Sequence, residues 1–439
     1  MRSATVRLSA SMLLLAAVSA PAMAGEPLRV DITQGVTSPL MIAVPDVASP
    51  AIAGVGAAGE AAGTALARVV RADLSGTGIY RLVPSATPLA PGVPAMTPWQ
   101  KAGVQALVVG RASVSASGQL AYECSLYEVF AAKAEFSRII TVPAAQWRRA
   151  AHKCADMVFE QTTGDPGHFD TRIAYVAESG PKVGRTKRLA VMDYDGANQA
   201  FLTRGLDLIA MPRFAPDGRA IVYMTYLRRQ PRIMVYDLAT ATTRPVELPP
   251  GTVFAPRFSP DGRTLAFSLG QGGDTDIYSY DMAAGTVRRL TATPGVDTSP
   301  SFSPDGSRIA FESSRSGQQQ VYVMAADGSG QTRISFGGGR YGSPVWSPRG
   351  DLIAYTRIGG DGFRIGVMRP DGSRERLLTD DWQDESPSWA PSGRAIAFLR
   401  TRRGEALPEL WTTDLTGRVQ RRIGIPDGGS DPGWSGVRP

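Results

Sequence analysis

Apolar and polar positions alternate in short bursts through the C-terminal part of the chain, and the bursts recur. "RTLAFS", "SRIAFES", "LIAYTR" and "RAIAFLR" follow the turn-forming stretches "SPDG", "SPDG", "SPRG" and "APSG". A Pro-x-aromatic unit precedes each turn. Six such units occur: Pro212-Arg-Phe214, Pro256-Arg-Phe258, Pro300-Ser-Phe302, Pro344-Val-Trp346, Pro387-Ser-Trp389 and Pro432-Gly-Trp434. Successive prolines lie 44, 44, 44, 43 and 45 residues apart. The unit reads as a short strand with proline near its start, where the missing N–H is tolerated. Pro-Asp-Gly makes a tight turn, because Pro fixes φ and Gly accepts a positive one. A third alternating run follows ("DIYSYD", "QVYVMAAD", "FRIGVMRPD"), and a short fourth ("RRLT", "RERLLT"). Four strands in about 44 residues predict one blade of a β-propeller.

The ends of this region set the blade number. "RIAYVAES", starting at Arg172, is an apolar strand with no Pro-x-aromatic unit before it. "DPGWSG" is the last unit and has no apolar strand after it. Joining the two closes a ring of six blades and leaves no open edge.

Residues 25–161 lack the repeat. "LRVDIT", "LMIAVPDV", "IYRLVP", "ALVVGRA" and "AYECSLYEVF" read as strands, and the stretches near 63–74 and 144–161 as amphipathic helices. The fold class predicted is an α/β N-terminal domain followed by an all-β six-bladed β-propeller (172–439) closed by the C-terminal strand. "TTGDPGHF", within 162–171, is dense in turn formers and reads as the linker. Alternation places Leu120, Tyr122, Cys124 and Leu126 on one strand face. Helical spacing groups Trp147, Ala151, Cys154 and Val158. Both thiols therefore point inward. In an oxidising compartment they pair, closing about 30 residues and adding roughly 3–4 kcal/mol; two buried free thiols are the other reading.

The first 24 residues read as a signal peptide. Arg2 and Arg7 precede an apolar run from Leu8 to Ala20, and Ala22 and Ala24 occupy the small-residue positions before a cut after Ala24. The expectation is an exported, periplasmic protein without a lipid anchor. The formal charge of +7 suits a solvated surface, and no long Lys/Arg run points to nucleic acid.

Chemistry is hard to assemble from these residues. There are two histidines, His152 on the long helix and His168 in the linker, and both are expected at the surface or as caps. No G-x-S-x-G elbow occurs. Two His and two inward Cys make no zinc set. Asp217, Asp261 and Asp305 sit in turns that need Asp-Gly for their geometry. "SFGGGRYGS" (335–343) has glycines but no following Lys, so it reads as a blade-joining loop. The expectation is no catalytic residue, no metal and no cofactor. What remains is a binding surface. The loops entering the first strand of each blade vary ("DLIAMP", "GTVFAP", "GVDTSP", "GRYGSP", "QDESP", "GGSDP"), while the turns on the other face are uniform. Recognition is expected at this varied mouth, through Phe254, Thr298, Ser299, Tyr341, Asp384, Glu385 and Asp431.

The order of parts resembles the TolB family, the periplasmic component of Tol-Pal systems. The resemblance rests on the junction "TTGDPGHFDTRIAYVAES", the helix "QWRRAAHKCADMVFEQTTG", the start "EPLRVDITQGVTSPLMIAVPDV" and the "SPDG" propeller. It covers the whole mature chain. It implies a non-enzymatic, monomeric adaptor. The propeller mouth would bind the lipoprotein Pal, at loops ending at Pro256, Pro300, Pro344 and Pro387. The segment 25–35, with Glu26, Leu28, Val30 and Ile32, would be recognised by TolA. Through these partners it would act with TolQ, TolR and peptidoglycan in outer-membrane integrity and in invagination at division. A hand-over mechanism would use that segment and the stretch 87–98 as mobile parts. The competing class is a periplasmic propeller hydrolase or glycan-binding protein. An enzyme needs His or paired carboxylates in the channel, which only Asp384–Glu385 suggests. A glycan binder needs exposed Trp platforms, whereas Trp346, Trp389 and Trp434 occupy the repeat's aromatic position, expected between blades.

Overall fold

A computed structural model describes residues 39–85, 88–90, 92–227, 230–405 and 407–438. Its N-terminal part runs β1 (Leu40–Ala43), α1 (Ala62–Ser75), β2 (Tyr80–Leu82), α2 (Thr97–Lys101), β3 (Ala106–Val114), β4 (Gln119–Glu128), β5 (Lys133–Pro143) and α3 (Trp147–Thr163). The strands form one sheet in the order β2-β1-β3-β4-β5. β1 is parallel to β2 and β3, and β3-β4-β5 is an antiparallel meander. Helices α1 and α3 cover one sheet face. Leu66, Val70 and Leu74 from α1 and Ala151, Ala155 and Val158 from α3 are buried against Tyr122, Cys124 and Leu126. Cys124 and Cys154 form a disulfide with their Cα atoms 5.7 Å apart, tying α3 to the middle of β4. Gly110 lies under the Tyr122 ring, where any Cβ would fall 2.0 Å from the hydroxyl oxygen. α3 ends at Gly164, whose φ of 76° gives the left-handed cap that glycine adopts without cost. β5 carries no clear alternation, because it is a sheet edge with most side chains exposed, Ile139 among them. No helix among the described residues is long and apolar enough to cross a membrane.

Six four-stranded sheets follow. The chain ends share the first blade: Gly428–Trp434 pairs antiparallel with Arg172–Ser179, inside Thr186–Asp193 and Ala200–Phe201. The inner strands of blades 2 to 6 are Ile209–Phe214, Thr252–Phe258, Asp297–Phe302, Arg340–Trp346 and Asp384–Trp389. Each touches the inner strand of the next blade, around the ring. Serine side chains stitch some of these joints. Ser301 Oγ accepts the Trp346 N–H at 3.0 Å, and Ser388 Oγ accepts the Trp434 N–H at 2.9 Å. Trp346, Trp389 and Trp434 are buried.

One element differs from the sequence expectation in every blade. Proline does not open the inner strand but sits late in it, at a β-bulge where the ladder slips register. The residue before each proline is left-handed: Met211, Ala255, Ser299, Ser343, Ser386 and Asp431 have φ between 49° and 56°. A bulge leaves one residue unpaired, so the absent proline N–H costs no ladder bond there. A non-glycine residue in this region costs roughly 1–3 kcal/mol, and it persists because the ring around it fixes the chain.

The histidines correct the sequence reading, and the linker packs with them. His168, Phe169, Asp170 and Thr171 are buried between the domains. Asp156 on α3 accepts the N–H groups of Phe169 and Asp170 at 2.7 and 3.0 Å, and burial lifts its carboxyl to about 7. Asp170 meets Arg149 and Arg438. His152 is fully buried, and His168 lies 3.1 Å from Ser392 Oγ, both far from the surface positions expected. Arg349 and Arg394, from turns of blades 5 and 6, reach Asp165 in the linker. The N-terminal domain therefore docks on the turn face of the propeller.

Trp434 joins the closing strand to this junction. Its ring lies 6.2 Å from that of Tyr194, nearly parallel, and its Nε1–H donates to Thr171 Oγ1 at 2.8 Å. Trp434→Ala removes ring packing and a buried hydrogen bond together. It should lower stability by roughly 3–5 kcal/mol, read as a lower urea midpoint; an unchanged midpoint would show that closure does not depend on this side chain.

Candidate functional site at the propeller mouth

Strands alternate in direction within a blade. Loops entering the inner strands and loops joining the second to the third strands therefore share one face. The N-terminal domain occupies the opposite face, so among the described residues it leaves the varied loops uncovered. Large apolar side chains stand exposed on them. Val183, Leu206, Leu208, Tyr226, Phe336 and Trp382 belong to these loops or the strand ends beside them, and Leu206 is 86% and Phe336 72% exposed. Single exposed apolar residues are ordinary; these share one face of the propeller.

The bulges aim the polar residues inside this ring. Glu385 precedes the left-handed Ser386, Phe254 precedes Ala255, and Ser299 and Asp431 are themselves bulge residues. All four are half-buried at the mouth. Asp431 bridges to both neighbouring blades: one carboxylate oxygen accepts the Met211 N–H at 3.1 Å and the other the Ser386 hydroxyl at 3.3 Å. Glu385 accepts from Gln383 Nε2 at 2.6 Å. Burial, and then the nearby Asp431 and Asp384 carboxylates, raise its carboxyl above the usual range. Arg213 lies beneath, donating to the Pro212, Asp431 and Pro432 carbonyls, and loss of solvent pulls its guanidinium down to about 10.

Three expected mouth residues are instead structural. Thr298 is buried, and its Oγ1 accepts from Ser268 Oγ at 3.1 Å. Tyr341 has no exposed surface and donates to Glu375 at 2.7 Å, an acceptor it shares with Tyr355 at 3.0 Å. Asp384 is fully buried in a two-pronged pair with Arg400, at 2.6 and 2.8 Å. Successive residues of a strand point opposite ways, so each entering loop supplies side chains to the ring's packing as well as to its opening. Glu26, Leu28, Val30 and Ile32 lie outside the described residues.

The loops also conceal two carboxylates that the sequence reading missed, because they come from second strands. Glu312 accepts the Ser343 N–H at 3.2 Å and Gln319 Nε2 at 2.7 Å, and burial raises its carboxyl. Glu178 is nearly buried; Ser430, Lys187 and Arg185 outweigh the burial and hold its carboxyl below the usual range. A signal existed: both are acids closing an otherwise apolar run, in "FES" and "AES".

Neither histidine is at the mouth; both sit at the domain junction. A cavity of about 160 Å³ opens there, lined by Phe159, His168, Phe169, Tyr194 and Trp434. Asp73, Arg394, Asp414, Arg418 and Arg421 line it too, so its wall mixes aromatic and charged groups. His152, Asp193 and Asp195 also converge at the junction. The two carboxylates are already held by Arg148, Arg438 and Asn198, and we assign no metal to them.

Comparison with known proteins bears on both parts. The TolB amino-terminal domain family matches residues 28–134, and the TolB beta propeller domain family matches residues 159–438. The chain is similar to the Tol-Pal system protein TolB of Rhizorhabdus wittichii, 52% identical over 439 residues and 99% of each chain. It is 54% identical to that of Zymomonas mobilis over 94% of this chain and 91% of the relative. The crystal structure of TolB from Acinetobacter baumannii superposes with a TM-score of 0.80 at 26% identity, covering 93% of this chain and 98% of that one.

The Asp384–Arg400 pair gives a test of the structural reading. Arg400→Ala leaves a buried carboxylate without its partner and should cost about 3–5 kcal/mol, whereas replacing both residues by leucine should cost less. Thermal denaturation of the two variants distinguishes them. Equal losses would mean that the pair holds no buried charge.

Proposed function

From the chain's membership of the TolB family of Tol-Pal system proteins, we propose that it is a non-enzymatic periplasmic adaptor that binds Pal through the propeller mouth. The observation that carries this is the free face itself. The mouth is ringed by exposed apolar groups, holds carboxylates inside, and lies opposite the docked N-terminal domain. Exposed apolar groups offer contact area to a protein partner, and the carboxylates beside them offer directed hydrogen bonds. Export would follow cleavage after Ala24.

The segment 25–35 is assigned to TolA. Docking or release of that segment biases the hold on Pal, handing it to peptidoglycan or withdrawing it. With TolQ and TolR this coupling serves outer-membrane integrity and invagination at division. Catalysis has little support. The acids at the mouth accept from neighbouring donors, and both histidines are packed at the far face.

Calorimetric titration of residues 25–439 with the soluble domain of the cognate Pal tests the assignment. Glu385→Lys and Trp382→Ala should each weaken binding at least about tenfold, a loss of 1.4 kcal/mol or more. Phe130→Ala, on the N-terminal domain, should change nothing. No binding at micromolar concentration would sink the Pal reading. Deleting 25–35 should shift Pal affinity, and an unchanged value would end the hand-over mechanism alone.

A further inference from the structure

His152 occupies an unusual position. Its side chain has no exposed surface. Nδ1 lies 2.8 Å from an Asp73 carboxylate oxygen, and the other oxygen of Asp73 accepts the Tyr194 hydroxyl at 2.7 Å. Asp73 comes from α1, His152 from α3 and Tyr194 from the propeller, so the three side chains cross the domain junction. The other ring nitrogen, Nε2, is buried and has no hydrogen-bond partner. A ring nitrogen of His152, a carboxylate oxygen of Asp193 and one of Asp195 lie within 4.8 Å of one another.

The two protonation states of this ring face different surroundings. A neutral imidazole donates from Nδ1 to Asp73 and leaves a bare lone pair on the buried Nε2, an unsatisfied acceptor in a cluster that also holds two carboxylates. An imidazolium carries a proton on each nitrogen, and its charge is attracted by Asp73 and by the nearby Asp193 and Asp195 carboxylates. We propose that His152 is held as an imidazolium and serves as a proton-dependent staple between the two domains. A proton suits the gap better than a metal ion, because the Asp193 and Asp195 oxygens already pair with Arg148, Arg438 and Asn198 and leave a metal few free lone pairs.

The groups around the ring are few. Its own helix brings Arg148 and, further off, Asp156. α1 brings Asp73. The propeller turn brings Asp193, Tyr194 and Asp195, and the C-terminal tail brings Arg438. Burial alone favours a neutral ring; Asp73 and then Asp195 outweigh it and lift His152 above the ordinary histidine range, while Arg148 opposes them. A histidine whose folded pKa exceeds its unfolded value of about 6.5 contributes stability that is complete below that value and lost as pH rises through the folded one. The junction should therefore hold at mildly acidic pH and loosen above neutrality.

The chain has only two histidines, so their ring signals can be resolved by NMR in the intact protein. His152→Gln and His168→Gln assign them. At pH 6 His152 should carry both ring protons, and it should titrate above the free-histidine value. His168, which burial pushes down to about 4, should be neutral. Asp195→Asn should lower the His152 titration point. The thermal midpoint of the wild type should fall by several degrees as pH rises from 6 to 9, and His152→Gln should flatten that slope. A neutral His152 ring at pH 6 overturns the proposal, even if the variants fail to fold. A ring signal that shifts on addition of zinc, or on its removal by a chelator, overturns it too.

Discussion

A β-propeller rests on one pairing that has no local substitute. Gly428–Trp434 must find Arg172–Ser179, more than 250 residues earlier, or the first blade lacks its inner strand. Without that strand the ring presents two open sheet edges, and open edges pair with whatever is near. Closure also fixes the inner strands against one another, and this mutual support holds six left-handed residues at the bulges. The mouth is thus set by the same constraint that completes the fold. Its residues are carried on a rim that cannot relax one blade at a time.

The two faces divide the work. Turns with nearly the same residues in every blade accept the N-terminal domain through Asp165, Arg349, Arg394 and Ser392. Among the described residues the N-terminal domain does not reach the loops that differ in every blade. Uniform turns are what four-stranded units need; variety has no such structural reason, and the exposed Phe336 and Trp382 lie on the varied side.

Much of this was legible in the sequence because it is local or periodic. The proline spacing counts blades, and the unmatched "RIAYVAES" and "DPGWSG" announce closure. The faces of β4 and α3 followed from periods of two and 3.6 residues, which left Cys124 opposite Cys154. What was not legible depends on partners distant in the chain. Nothing near Asp384 reveals that Arg400 will bury it, and nothing near His152 reveals Asp73, 79 residues away. The bulges escaped for a different reason. A left-handed Met211 or Ala255 has no sequence signature, since glycine would be the expected residue.

Helix α3 shows how motion would pass through this molecule. One face is fastened to its own sheet by the Cys124–Cys154 bond. The other holds Arg148, Arg149, His152 and Asp156 against the propeller and the linker. A pull on the N-terminal domain would reach the propeller as shear along this helix, spread over several contacts at once, and not as tension on the short connecting loop. Contacts loaded side by side must break together, so the two domains would travel as one body under forces that peel a single contact away.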